Sequence, residues 1–128
     1  AIVLTAVLLS IEQCKYLTSL AHQLGMEVAL KLYTVEEIDY LECDVDLIII
    51  NNRIACNFDM DVNKSFEFAK LLPADCIKVS EGGIYTPEKA KELSDVGFQG
   101  IIIGDLFMKT ANPGYALGEF IKGIKKEN

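Results

Sequence analysis

Metal ligands and positive charge are both scarce in this sequence. It has one histidine, His22, and its four cysteines (Cys14, Cys43, Cys56 and Cys76) form no C-x-x-C pair. A zinc site is therefore not expected. The cysteines read instead as reduced thiols serving as small core residues, as in a cytoplasmic protein. Lysine and arginine number 12 against 19 aspartates and glutamates, a net charge of -7. A nucleic-acid partner, which needs a basic face, is not expected, although a local basic pocket is compatible with the balance. No apolar run reaches the ~18 residues a membrane span requires, so no membrane partner is expected either. Ala1 to Leu9 is apolar but has neither the charged n-region nor the small-x-small site of a signal peptide. There is no linker and no low-complexity stretch, so residues 1-128 read as a single domain.

What is present is a repeated change of character within single segments. Ile48-Ile49-Ile50 runs into Asn51-Asn52-Arg53, Ile77-Lys78-Val79 into Ser80-Glu81-Gly82-Gly83, and Ile101-Ile102-Ile103 into Gly104-Asp105. Three β-branched runs thus end in polar or glycine-rich tips. In parallel α/β proteins ligands bind at the carboxyl ends of the strands. Expected strands are Ile2 to Leu9, Glu27 to Leu32, Leu47 to Ile50, Cys76 to Ser80 and Gly100 to Ile103. Helical signals separate them. Ser10 with Gln13, and Thr34 with Glu37, make capping boxes. Thr86-Pro87 gives an N-cap with proline at the first helical position. Gly25 stops the first helix, and further helices are expected over about 62-71 and from Asn112-Pro113 to about Ile124, with a loop from Asn52 to Asp61.

Five βα units imply a parallel sheet with right-handed crossovers. Strands apolar on both faces fit a sheet covered on both sides. Two architectures are compatible: part of a (βα)8 barrel, or an open flavodoxin-like doubly wound sheet. A closed barrel needs more than ~200 residues, so 128 residues make about five of its eight units.

Four places carry candidate chemistry. At Glu81-Gly82-Gly83, glycines bring backbone N–H groups close to an anion and a carboxylate stands at the strand tip. The plainer reading is a turn with a surface glutamate. Gly104-Asp105 is a second glycine tip, and two neighbouring glycine tips are stronger than one; the aspartate would repel a phosphate unless turned away. Asn51 is an amide that needs partners. Arg53 suits a carboxylate or phosphate, or else pairs with Asp59 or Asp61. Alternation along the second strand puts Lys31 opposite the helix-covered face with Glu27 and Ala29, toward a barrel interior; the plainer reading is a surface lysine at a strand end. Lys78 falls on the other face from Glu81 and is explained only by snorkelling of its stem. His22 reads as a solvated surface residue.

Four segments, in order and spacing, resemble indole-3-glycerol-phosphate synthase: Gly25-Met26-Glu27-Val28, Ile50-Asn51-Asn52-Arg53, Val79-Ser80-Glu81-Gly82-Gly83-Ile84-Tyr85-Thr86-Pro87 and Gly104-Asp105-Leu106-Phe107-Met108. The resemblance covers essentially the whole chain. It implies strands four to eight of a (βα)8 barrel from tryptophan biosynthesis, a carbon–carbon (carboxy) lyase working without metal or organic cofactor on a phosphorylated small molecule. By this resemblance Glu81 and Asn51 are catalytic positions. Gly82, Gly83, Gly104 and Asp105 match its phosphate-loop positions, while Arg53 and Lys31 are candidate substrate-binding residues on their own chemistry.

The sequence departs from the family pattern in places. Lys31 stands where the family has a glutamate, Gly82 where it has serine, and Ile54-Ala55 where it has Asp-Leu. The family's first and third strands, with two lysines and a glutamate, have no counterpart in this register. The chain is accordingly expected to be inactive or incomplete alone. The alternatives are a non-catalytic sugar-phosphate binding half-barrel, or a fragment that depends on self-association or on the N-terminal part of the barrel. The absence of a starting methionine and the immediate start on a strand favour a piece of a longer chain.

Overall fold

The computed structural model describes residues 1–54 and 59–126. Of the expected loop Asn52 to Asp61, residues 55–58 lie outside the described residues, as do residues 127–128.

Each apolar run seen in the sequence yields a strand: β1 Ile2–Thr5, β2 Val28–Leu32, β3 Leu47–Asn51, β4 Lys78–Glu81 and β5 Gly100–Ile102. All neighbours pair in parallel, in the order β1-β2-β3-β4-β5. That order decides between the two architectures. A flavodoxin-like doubly wound sheet reverses direction and has the order 2-1-3-4-5; a barrel segment adds each strand beyond the last. The open doubly wound sheet is therefore set aside, and the chain is a five-stranded segment of a β/α barrel.

The helices between the strands are α1 Ile11–Gln23, α2 Asn63–Leu71, α3 Pro87–Asp95, the single turn α4 Asp105–Met108, and α5 Pro113–Lys126. Local chemistry starts them where the sequence signals. Ser10 and Gln13 exchange the two hydrogen bonds of a capping box. Thr86 Oγ1 accepts from Lys89 N–H ahead of Pro87. The register puts Leu4, Leu30, Leu32, Ile48 and Ile50 on the helix-covered face, where they are buried against Cys14, Ala21, Phe68, Leu93 and Phe120. Each such aliphatic side chain contributes about 1.5–3 kcal/mol through burial.

Three expectations shift. The first strand ends at Thr5, and Ala6–Leu8 form a 3₁₀ turn. Pairing with β2 runs out at Thr5↔Lys31, so the remaining apolar residues have no ladder to join and Val7 and Leu8 are exposed. The Thr34 helix is a 3₁₀ helix, Val35–Cys43, held at its start by Tyr33 and Thr34 N–H groups donating to the Glu37 carboxylate. The fourth strand starts at Lys78, because Cys76 N–H donates to Pro73 O in a preceding turn. Lys78 itself is 3 % exposed, its Nζ donating to Cys76 O at 3.2 Å, consistent with a stem laid along the core and an ammonium at the strand's start. Cys14 and Cys43 are buried free thiols. Burial first, then a hydrogen bond with Cys14, pushes the Cys43 thiol up to about 12, so it serves as a small apolar core group at neutral pH.

His22 is exposed yet not simply solvated: Nε2 lies 2.8 Å from Asp46 Oδ2, an oxygen that also accepts from Val28 N–H at 2.7 Å. The Val28 N–H, and after it the His22 contact, hold the Asp46 carboxyl below its ordinary 3.8. A carboxyl depressed in the folded state stabilises the fold above its unfolded value, and this stabilisation is lost as pH falls through the folded value. The denaturant midpoint is thus expected to drop below pH 3.8 more steeply in the natural sequence than in Asp46→Asn. Parallel acid limbs in the two proteins would remove this role.

Candidate active site at the strand tips

The pleat sorts the tips of β3 and β4 onto two faces. Asn51 and Glu81 stand side by side in register, with Ile102 beyond them, on the inner face. Asn52 and Ser80 belong to the helix-covered face.

On the inner face, Asn51 Nδ2 donates to Glu81 Oε2 at 3.1 Å, and Asn51 Oδ1 accepts from Arg53 N–H at 2.9 Å. Both ends of the amide are used, which fixes its orientation. Lys31 Nζ lies 2.9 Å from Glu81 Oε2 and 3.2 Å from Oε1. Lys31 is therefore on the inner face, as alternation indicates, and it reaches from β2 across β3 to the carboxylate on β4. Asn51, Glu81 and Lys31 form one connected group.

Behind the tips lies a second group that sequence reasoning missed. Asn52 is fully buried. Its Nδ2 donates to Ser80 Oγ at 3.0 Å and Gly82 O at 2.8 Å; its Oδ1 accepts from Ser65 Oγ at 2.8 Å, and the two serine oxygens are 2.6 Å apart. The amide thus ties β3, α2 and the glycine tip together in a closed polar network of the kind that rigidifies a core. The available signal was parity: an amide two residues after Ile50 shares that residue's buried face and must find partners there.

The glycine tips of β4 and β5 meet. Gly82 N–H donates to Ile102 O at 3.3 Å. Gly82 and Gly83 have φ of +92° and +72°, conformations that favour glycine. The space a Cβ would take at Gly82 is held by Met60, whose Sδ would lie 2.9 Å away. Met60 is carried there by a short antiparallel bridge to Arg53, a placement of which the sequence gave no sign. The serine expected from the family pattern does not fit this backbone while Met60 stays in place. Among the described residues the N–H groups of Gly83 and Gly104 have no acceptor. Gly104 opens only the one-turn α4, so the macrodipole adds little there. Asp105 is 87 % exposed and 3.8 Å from Lys109, and solvent and the lysine lessen the repulsion it would otherwise exert on an anion.

These groups border a cleft of about 330 Å³ lined by Arg53, Met60, Glu81, Gly82, Gly83, Ile103, Gly104 and Asp105 among others. Every candidate residue except Asn51 and Lys31 lines it, and those two are joined to it through Glu81. Arg53 N–H and O are both engaged, the carbonyl accepting from Lys64 Nζ at 2.7 Å. Burial pulls the Lys64 pKa below its ordinary 10.5.

Sheet order and tip chemistry define a β/α-barrel segment whose candidate site faces out from the carboxyl ends of its strands. Solved structures with this fold include a 3-hexulose-6-phosphate synthase (TM-score 0.74, 13 % identity, 95 % of this chain and 60 % of that one). Another is a thiamine phosphate pyrophosphorylase from Pyrococcus furiosus (TM-score 0.71, 16 % identity, 97 % and 58 %). At those identities the likeness concerns the fold alone. The family model described as indole-3-glycerol phosphate synthase matches residues 1–120. The indole-3-glycerol phosphate synthase of Bacteroides thetaiotaomicron is 45 % identical over 125 residues, covering 98 % of this chain and 48 % of that protein. That of Lachnoclostridium phytofermentans is 31 % identical over 112 residues, covering 87 % and 41 %. The chain belongs to the indole-3-glycerol phosphate synthase family, and it spans about half the length of these relatives. Among the described residues no helix is long and apolar enough to cross a membrane.

Proposed function

We propose that this chain supplies the phosphate-side half of an indole-3-glycerol phosphate synthase site in tryptophan biosynthesis. The N–H groups of Gly83 and Gly104 take the phosphate of a phosphorylated small molecule, with Arg53 as the cation beside them. The carrying observation is that these two N–H groups, which have no acceptor among the described residues, border one cleft of about 330 Å³. That is room for a phosphate and a short carbon chain. Free N–H groups on a glycine tip form the kind of concavity that binds anions.

The acid–base half of the reading is different. Glu81 is the carboxylate nearest the cleft, and it is held by both Lys31 and Asn51. Three contacts take up three of the about four lone-pair sites of a carboxylate, so Glu81 serves first as the partner of Lys31 and Asn51. The 128-residue chain by itself is therefore expected to bind a phosphate ligand while turning over the family's substrate slowly or not at all.

Calorimetric titration with glycerol 3-phosphate should show saturable binding. A parallel assay of decarboxylating ring closure should stay well below about 1 per second, the low end of ordinary enzyme rates. Absence of binding would contradict the phosphate half, and turnover at ordinary rates would contradict the other.

A further inference from the structure

The charge reversal at position 31 changes what the site can receive. Lys31 lies two residues below the level of Glu81 on the inner face, in register with Thr5, Ile49 and Val79, and its side chain is 20 % exposed. It can be reached from the open face, yet it is enough desolvated for its charge to act at close range. Its ammonium has three N–H donors. Glu81's two oxygens occupy two of them, at 2.9 and 3.2 Å. Among the described residues there is no acceptor for the third.

A charge comparison points the same way. The cleft lining carries Arg53, Glu81 and Asp105, and Lys31 is joined to it through Glu81. A glutamate at position 31 would stand beside Glu81 and make the strand-tip region more negative by two charges, and Lys31 removes that repulsion toward an anion. Glu81 is the counter-ion that holds the ammonium beside the cleft.

We propose that Lys31 is a specificity-determining residue that receives the carboxylate of a phosphorylated carboxylic acid, while the glycine tips hold its phosphate. The inference rests on the phosphate reading given above. The incoming carboxylate takes the unused N–H of Lys31 and competes with Glu81 for the other two, forming charge-assisted hydrogen bonds. The chain as a whole carries -7, so its overall field opposes a ligand with more negative charge; a preference for the acid must arise locally.

The test compares two three-carbon phosphates that differ only in the group at the far carbon, glycerol 3-phosphate and 3-phosphoglycerate, titrated calorimetrically into the 128-residue chain. The acid should bind tighter by on the order of tenfold, as one charge-assisted hydrogen bond supplies. Lys31→Gln should bring the two affinities together, and Lys31→Arg should keep most of the preference. Glu81→Gln, which removes the competing counter-ion, should widen it. A purely structural ion pair would shift both ligands alike in all three variants and leave their ratio unchanged, which overturns the proposal. Equal binding of both ligands to the unaltered chain overturns it while sparing the phosphate reading; binding of neither overturns both.

Discussion

Replacing Asn52 by alanine is expected to cost about 3 kcal/mol of stability, since buried polar groups left unsatisfied cost about 1–3 kcal/mol each. It should also weaken phosphate binding. The amide makes three side-chain hydrogen bonds in a fully buried setting. Without it the Gly82 carbonyl loses its donor, and Ser65 and Ser80 are left with only each other. The lost Gly82 contact is one of two hydrogen bonds that hold the glycine tip, the shorter of them, so stability and ligand affinity should fall together. Asn52→Asp keeps the size but loses the donors and buries a carboxylate opposite a carbonyl; it should be at least as damaging. Urea denaturation gives the first quantity and phosphate titration the second. A loss of under about 1 kcal/mol, the range of ordinary surface changes, would mean the network is not what holds the tip.

Gly83→Asp should abolish phosphate binding. A carboxylate a few ångströms from a bound phosphate, at an effective dielectric of about 20, repels it by roughly 3–4 kcal/mol or more, upwards of a hundredfold in affinity. The backbone at Gly83 has φ +72°, a left-handed conformation that asparagine and aspartate tolerate better than other residues. A Cβ there meets Met60 Cβ at 3.2 Å, a tight contact shared by both side chains. Gly83→Asn therefore carries the same strain without the charge, and it should retain most of the affinity. If the two variants bind alike, packing rather than charge governs the tip, and the anion reading of this glycine fails.

The fold was legible where two levels of sequence signal agreed. Ser10 with Gln13, and Thr86 before Pro87, mark helix starts that the structure reproduces, because capping depends on residues three apart and on nothing distant. Strand faces followed from alternation, which placed Lys31 inside. What alternation does not contain is the partner: the Lys31–Glu81 pair spans fifty residues and depends on strand order. Strand order itself was the undecided point. Repeated βα units are common to barrel segments and doubly wound sheets, and the pairing of β2 with β3 separates them. The strand boundaries that moved did so for lack of neighbours, since Val7 and Leu8 continue an apolar run beyond the end of the ladder.

The candidate site was half legible in the same sense. Asn51, Glu81 and the glycines announce themselves as polar or small residues at the ends of apolar runs; the structure gathers Glu81 and the glycines around one cleft and joins Asn51 to Glu81. Asn52 was passed over beside Asn51, although its parity placed it in the core. Met60 could not have been found, since its role depends on a loop folding back so that a thioether lies against Gly82 and Gly83.

The central claim is that the unpaired N–H groups of the β4 and β5 tips hold a phosphate. Backbone amide resonances of a ¹⁵N-labelled chain, followed during titration with inorganic phosphate, test it most directly. The account predicts saturable shifts largest at Gly83 and Gly104, with little change at the His22–Asp46 end of the molecule. Saturable shifts centred elsewhere, or none at those two glycines, would contradict it.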